Sequence, residues 1–308
     1  MTESIIFAGT PANAAQTLQG LVSAGIEIEY VITRPDAPFG RNRTVTPSPV
    51  ALLALENGIP IIKTSIIDEE TMKILKNSSS QLAIVVAFGV ILKKAALDCI
   101  DKGWFNLHYS LLPAFRGAAP VQHAILSGAS ETGVTLFKID SGLDTGPLLA
   151  QVPALIEVND TTDSLLSRLT DLGVSLIIQE LPKLFSERHP ALVPQVGFAS
   201  SAPKLKREDG RLSFDMPAKK LASQIAACHS EPGAWCHLDD QVLKIISARV
   251  FESPSSLAPG ETSFIGNSVV CGCADSSSLE LLEVQSAGKS AMPAGAWLRG
   301  KHADVRLH

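Results

Sequence analysis

Leu82-Ala-Ile-Val-Val-Ala87 (LAIVVA), followed at once by Phe88 and Gly89, decides how the first half of this 308-residue chain folds. An unbroken apolar run of this length, rich in β-branched side chains, makes a strand buried on both faces, as in the middle of a parallel sheet. Gly89 interrupts it, and a helical pattern over 92–100 follows. Outward from here the same alternation recurs. Ser4–Ala8 is a short apolar strand, Gly9-Thr10-Pro11 turns it into a helix of about 12–24, and Ile26–Thr33 is the next strand. Helices are expected over 51–57, ending at Gly58, and over 120–127. Strands are expected over 104–108, 133–139 and 148–156. A long helical pattern spans 161–185, which Pro182 should kink or end. Strands and helices alternating at these lengths predict an α/β fold: a mostly parallel, Rossmann-like sheet with helices on both faces.

Past residue 189 the pattern changes. Residues 190–206 hold Pro190, Pro194, Pro203 and Ala199-Ser-Ser-Ala202, and read as a linker. One helix is expected over 217–228. Short alternating segments follow at 234–238, 242–248, 268–273 and 279–284, separated by turn residues, and predict a small barrel or sandwich. The chain therefore divides into 1–189, a linker at 190–206, and 207–308.

Composition narrows the function classes. The chain is 45% apolar and 19% charged, with a net charge of −5, the make-up of an ordinary soluble globular protein. No apolar run reaches the roughly 18 residues of a membrane span, and the N-terminus has neither signal-peptide nor transit-peptide features, so a cytoplasmic protein with no membrane partner is expected. The five cysteines show no paired spacing. Cys228, His229, Cys236 and His237 fit no common zinc arrangement, and reduced, partly buried thiols are expected instead. The first strand is not followed by G-x-G-x-x-G, and Thr33-Arg34-Pro35 stands where a dinucleotide site would place an acid. A phosphate-binding G-x-x-x-x-G-K-[ST] loop is missing as well. Nucleic-acid binding needs local basic surface more than a basic total. Two clusters qualify: Arg34, Arg41 and Arg43 in the loop 34–50, and Lys204, Lys206, Arg207 and Arg211 at the domain junction. That loop is long enough, without structure of its own, to be functional.

Phe105–Pro120 reads FNLHYSLLPAFRGAAP. Asn106 and His108 are two apart in a strand, so they project from one face, at the strand end where open α/β sheets bind ligands. A glycine-flanked acid, Asp144, follows in Gly142-Leu-Asp-Thr-Gly146. An amide and an imidazole can hold a developing oxyanion, and a carboxylate can take an amine proton.

In its segments FAGTP (7–11), RPDAPFGRNRTVTPSPV (34–50), VAFGVIL (86–92), NLHYSLLPAFRGAAPVQHAILSG (106–128), ETGVTLFKIDSGLDTG (131–146) and KREDGRLSFDMPA (206–218), in this order, the chain resembles the methionyl-tRNA formyltransferases. The resemblance implies transfer of a formyl group from 10-formyltetrahydrofolate to the α-amino group of charged initiator methionyl-tRNA. It implies an OB-like barrel in the second half, a fold often used for nucleic acids. It assigns catalysis to Asn106, His108 and Asp144. It places the folate against Phe88, Gly89, Val90, Ile91 and Leu92, with Ser110, Leu111, Leu112 and Pro113 as the opposite wall. Arg41 becomes the chief contact to the tRNA acceptor end, with Arg43, Lys204, Lys206 and Arg207 as further contacts. No metal is called for, and a monomer is expected. Two stretches depart from the family. Asn42-Arg43-Thr44 replaces a run that often continues with lysines. Ala226–Ala234 keeps Pro232-Gly233 but lacks the usual arginine and aromatic residues. Enzymes that formylate amino sugars or hydrolyse formyl-folate share Asn, His and Asp but match RGAAPVQ and the second half less well. A tRNA-binding protein without catalysis has no need of all three residues.

Overall fold

The structure, a computed structural model, describes residues 3–40, 43–186, 190–301 and 305–308. It contains two compact units. One comprises Met1–Pro120, Glu131–Leu155 and Leu166–Ala202; the other comprises Val121–Ser130, Ile156–Leu165 and Pro203–His308.

In chain order the first half runs β1 (Ser4–Gly9), α1 (Ala12–Ser23), β2 (Glu27–Thr33), β3 (Ala37–Phe39), β4 (Thr44–Thr46), α2 (Pro49–Glu56), β5 (Ile61–Lys63), α3 (Glu69–Lys76), β6 (Leu82–Val86), α4 (Lys94–Leu97), β7 (Gly103–His108), α5 (Pro120–Ser127), β8 (Glu131–Lys138), β9 (Leu148–Leu155) and α6 (Thr162–Ser186). The main sheet has the order β5-β2-β1-β6-β7-β8-β9. Pairing is parallel from β5 to β7, and β8 and β9 add antiparallel strands at one edge. The LAIVVA strand, β6, has a parallel neighbour on each side and is buried throughout, the placement its composition dictates.

Local chemistry sets the helix ends. Ser48 caps α2 by accepting the Ala51 amide at 3.0 Å, with Pro49 in the first turn. Asp68 caps α3 by accepting the Thr71 amide at 2.8 Å. Glu69 and Glu70 at its start and Lys73 and Lys76 at its end complement the helix dipole.

Three expectations are corrected. The loop 34–50 is not structureless, because β3 and β4 pair as a short antiparallel hairpin with Pro38 opposite Val45. A proline is tolerated in so narrow a ribbon, where one side of each strand has no ladder to complete. The helix expected over 92–100 shrinks to α4. Its Ala96 carbonyl is taken by the Trp104 indole at 2.9 Å, and Cys99 and Ile100 turn into the core. Helix α6 continues through Pro182 to Ser186. Leu181 and Leu184 anchor this last stretch in the core. The Lys102 ammonium donates to the Leu184 and Phe185 carbonyls at 2.6 and 2.5 Å, satisfying acceptors that the helix end leaves open.

The second half contains α7 (Ala218–Ala227), β10 (Trp235–Leu238), β11 (Gln241–Val250), β12 (Glu261–Ile265), β13 (Ser268–Gly272), β14 (Ser278–Ser286), β15 (Met292–Pro293), α8 (Ala294–Arg299) and β16 (Val305–Arg306). The antiparallel order is β10-β11-β14-β13-β12-β16. The two ends of this order meet. Leu238 bridges Leu307, and His237 and His308 exchange backbone hydrogen bonds of 2.7 and 2.9 Å. The sheet is thus a nearly closed barrel, with Leu221, Ile225, Leu243, Ile245, Leu279 and Val284 in its core. All five cysteines are free and buried. No helix among the described residues is long and apolar enough to cross a membrane.

A ring of hydroxyls locks β2 to the loop before β6. Glu29 Oε2 accepts from the Ser78, Ser79 and Ser80 hydroxyls at 2.8, 2.8 and 2.7 Å and from the Ser80 amide at 2.8 Å. Burial pushes this carboxyl up, but the serine bonds together outweigh it and hold the pKa at about 2, below the ordinary 4.5. A carboxyl whose folded pKa is depressed stabilises above its unfolded pKa and loses that contribution as pH falls toward the folded one. Glu29→Gln should therefore lower the unfolding free energy at pH 7 by about 1–2 kcal/mol, the pKa shift discounted for partial exposure. The gap to wild type should close between pH 4.5 and about 2. Urea denaturation across that range tests it; equal stabilities at pH 7 would refute the role of the ring.

Candidate active site

Strand β7 ends at the site. Asn106 and His108 leave it on one face, as their spacing requires, and both line a cavity of about 680 Å³. The segment Val85–Leu92, running off the end of β6, forms one wall. Leu107, Tyr109, Gly117, Ala118 and Pro120 form another part, and Phe137 and Ile139–Asp144 close the rest. The volume and the mix of apolar walls with a few converging polar groups are those of a small-ligand site.

His108 is buried, with 5% exposure. Its Nε2 lies 2.9 Å from the Phe115 carbonyl. A carbonyl only accepts, so Nε2 carries the hydrogen and Nδ1 is left as the free nitrogen. Nδ1 faces Asp144 Oδ2 across 3.9 Å, too far for a direct hydrogen bond. The same Oδ2 accepts the Gly117 amide at 2.8 Å. Burial pulls the His108 pKa below its ordinary value, against the upward pull of Asp144 and of the bond to Phe115. The resting imidazole is therefore neutral at neutral pH.

Asp144 itself takes a left-handed backbone, φ 53°, which aspartate tolerates better than most residues. The loop around it is tied by Asp140, whose Oδ1 accepts the Gly142 amide at 2.9 Å and the Thr145 hydroxyl at 2.7 Å. Gly117 has φ 127°, and the Ala202 carbonyl occupies the space a Cβ there would need. Only glycine brings this amide so close to its neighbours. The Asn106 side chain makes no hydrogen bond to another side chain or backbone group among the described residues and is free to serve a ligand.

The first 181 residues and the barrel each match a known protein family. Residues 3–181 match the model described as formyl transferase, and residues 204–302 match the formyl transferase C-terminal domain. The chain belongs to the formyl transferase family. It is 44% identical over 296 residues to a methionyl-tRNA formyltransferase of Renibacterium salmoninarum, covering 96% of each chain. It is 43% identical over 303 residues to that of Paenarthrobacter aurescens, covering 98% of each. Among solved structures, an N-formyltransferase from Helicobacter canadensis in complex with folinic acid and dTDP-3-aminofucose superposes with a TM-score of 0.69 at 19% identity. That match covers 92% of this chain and 99% of the other, and at this identity it speaks for the fold.

In this formyl transferase, Asn106, His108 and Asp144 meet at one cavity, with Phe88, Gly89, Val90, Ile91 and Leu92 along its wall. Ser110, Leu111, Leu112 and Pro113 do not line it. Their backbone is tied to the neighbouring strands: the Ser110 carbonyl accepts from the Thr135 hydroxyl at 2.6 Å, and the Leu112 carbonyl accepts from the Gln151 amide at 3.0 Å. Leu112 consequently packs into the core. The opposite wall is supplied instead by Phe137 and the loop Ile139–Asp144. The backbone groups of Phe115 and Gly117 were not singled out from sequence, since a carbonyl and an amide carry no residue signature; the glycine after Arg116 is the one trace of them. Asp140 was also missed, although Asp140-Ser-Gly142 is a recognisable turn signal.

Of the basic residues, Arg43 is exposed beside the hairpin turn, while Arg41 lies outside the described residues. Lys204, Lys206 and Arg207 are exposed on the second unit. Lys204 pairs with Glu231 at 3.3 Å. The Arg207 and Arg211 guanidinium groups sit 5.4 and 5.8 Å from the Trp235 ring centre.

The geometry fixes a titration. Histidine NMR should place the midpoint of His108 below the ordinary 6.5. Asp144→Asn should move it lower still, because the carboxylate acts upward on it. Since the folded pKa is the lower one, the group costs stability only as pH falls below its unfolded value. A midpoint that rises in Asp144→Asn would contradict the pairing.

Proposed function

We propose that the chain transfers the formyl group of 10-formyltetrahydrofolate to the α-amino group of initiator methionyl-tRNA, giving N-formylmethionyl-tRNA. The observation that carries this reading is the convergence of Asn106, His108 and Asp144 on one cavity of about 680 Å³, in a chain that matches methionyl-tRNA formyltransferases along nearly its whole length. The folate would lie along Phe88–Leu92, its formyl carbon toward Asn106.

An α-amino group ionises near pH 7.7–8.0, and esterification of the carboxyl lowers that further, so a neutral nucleophile is available at neutral pH. Its attack on the formyl carbon gives a tetrahedral adduct with an anionic oxygen and a cationic nitrogen. The Asn106 amide donates to that oxygen, a contact of about 3–4 kcal/mol by the measure of known oxyanion holes. His108 reaches the same oxygen through Nδ1 after that nitrogen takes a proton from solvent, Asp144 favours the imidazolium as the negative charge grows, and the proton returns to solvent when the carbonyl re-forms. The amine proton passes to Asp144, directly or through a water, and on to N10 of the folate as the C–N10 bond breaks. The Gly117 amide keeps the carboxylate aimed during both transfers. No step calls on a metal.

For the tRNA, this reading assigns phosphate contacts to Arg41 and Arg43 at the hairpin and to Lys204, Lys206 and Arg207 on the second unit. It treats 1–189 as the catalytic domain, 190–206 as the connection and 207–308 as the tRNA-binding barrel, in a cytoplasmic monomer.

The test is to incubate the protein with 10-formyltetrahydrofolate and charged initiator tRNA and to quantify formyl-methionine. Asn106→Ala should lower kcat by about 10²–10³-fold, and His108→Ala and Asp144→Ala should lose most turnover, with folding and tRNA binding kept. Near-normal turnover in Asp144→Ala would remove the proton-transfer role. In a separate comparison, Arg41→Ala should raise KM for tRNA far more than KM for folate. Equal rises would place the hairpin in the catalytic pocket rather than on the tRNA.

A further inference from the structure

We infer that Gln195 is a positioning residue for the formyl-transfer step, a side chain outside the cavity that couples the backbone turn holding His108 to the loop carrying Asp144. The inference rests on the formyl-transfer reading, but its geometry stands apart from the identity of the acceptor.

The turn Phe115–Gly117 serves both catalytic groups: the Phe115 carbonyl faces His108 Nε2, and the Gly117 amide donates to Asp144 Oδ2. The turn is held from outside by the chain just beyond α6. The Phe115 amide donates to the Ser200 hydroxyl at 2.8 Å, the Arg116 amide to the Ser200 carbonyl at 2.8 Å, and the Ala202 amide to the Arg116 carbonyl at 2.7 Å. Gln195, in the same returning segment, does what none of these bonds does. Its Oε1 accepts from Arg116 Nη2 at 2.6 Å and Nε at 3.2 Å. Its Nε2 donates to the Asp144 carbonyl and to the Gly146 carbonyl, each at 2.8 Å. One amide therefore grips the turn with its oxygen and the Asp144 loop with its nitrogen. All four of its hydrogen-bonding positions are used, and reversing the amide would set N–H against N–H and oxygen against oxygen. The carbonyl it holds belongs to a residue with φ 53°, a conformation that persists only where the surroundings impose it. The 3.9 Å spacing between His108 and Asp144 is thus set from a residue that lines no part of the cavity.

Two variants separate positioning from folding. Gln195→Glu has the same shape and keeps the bonds from Arg116, but turns both donations to the Asp144 loop into oxygen–oxygen repulsion. It should lower kcat by about tenfold to a hundredfold while KM for 10-formyltetrahydrofolate stays within about a factor of two. Gln195→Leu carries no charge, so histidine NMR on it reports geometry alone. The His108 midpoint should fall as Asp144 withdraws, and the same change in an Asp144→Asn background should leave it where Asp144→Asn puts it. Phe198→Ala, at an exposed position of the same segment, should keep wild-type kcat. A Gln195→Glu enzyme within about twofold of wild-type kcat overturns the inference. So does a loss of kcat matched by a loss of folded protein, or a His108 midpoint that Gln195→Leu does not move. A wild-type protein that fails to formylate methionyl-tRNA refutes the functional reading instead, and the NMR comparison still decides the role of Gln195.

Discussion

One backbone turn governs the chemistry. Phe115 offers a carbonyl to His108 and Gly117 offers an amide to Asp144, so the tautomer of the imidazole and the aim of the carboxylate are set by two peptide units of a single turn. The sheet supplies the other half of the constraint. Strand β7 is fixed between a parallel and an antiparallel neighbour, and Gly173 of α6 lets the Leu107 side chain fill the space where a Cβ would stand. Asn106 and His108 therefore emerge from a strand held on both edges and packed from one face, and the turn that completes their surroundings is a loop braced by another loop.

This arrangement explains why a buried histidine remains neutral without being idle. Desolvation disfavours the imidazolium at rest, while a carboxylate held close on the far side of Nδ1 stands ready to compensate when negative charge appears in the cavity. The charged form is thereby favoured only when something anionic shares the site.

The scaffold was legible because it is written in local patterns. An uninterrupted β-branched run becomes an inner parallel strand, two-residue spacing puts Asn106 and His108 on one face, and turn residues spaced between short alternating segments become a barrel. What escaped was non-local. Val193, Gln195 and Ser200 lie in a proline-rich stretch that reads as linker, yet their partners are backbone groups far away in sequence, 51 residues in the case of Asp144 and Gln195. Hydrogen bonds of this kind leave no periodicity. Ser110–Pro113 shows a second difficulty: apolar side chains beside a catalytic motif suit a ligand wall and a core equally, and in this stretch Leu112 is buried while Leu111 and Pro113 are half-buried. The strand pairing of β3 with β4 was hidden by prolines, and α3 by a polar composition whose caps, rather than its apolar face, mark it.

The buried cysteines bear on how this molecule ages. Burial pushes the thiols of Cys228 and Cys273 up to about 11 and that of Cys236 to about 12, and it raises Cys99 and Cys271 as well. Peroxides and alkylating agents attack the thiolate, which at neutral pH is a minute fraction of each of these groups. Oxidation of the four thiols in the second unit must then wait for that unit to open, and the rate at which a thiol reagent consumes Cys236 becomes a clock for its breathing.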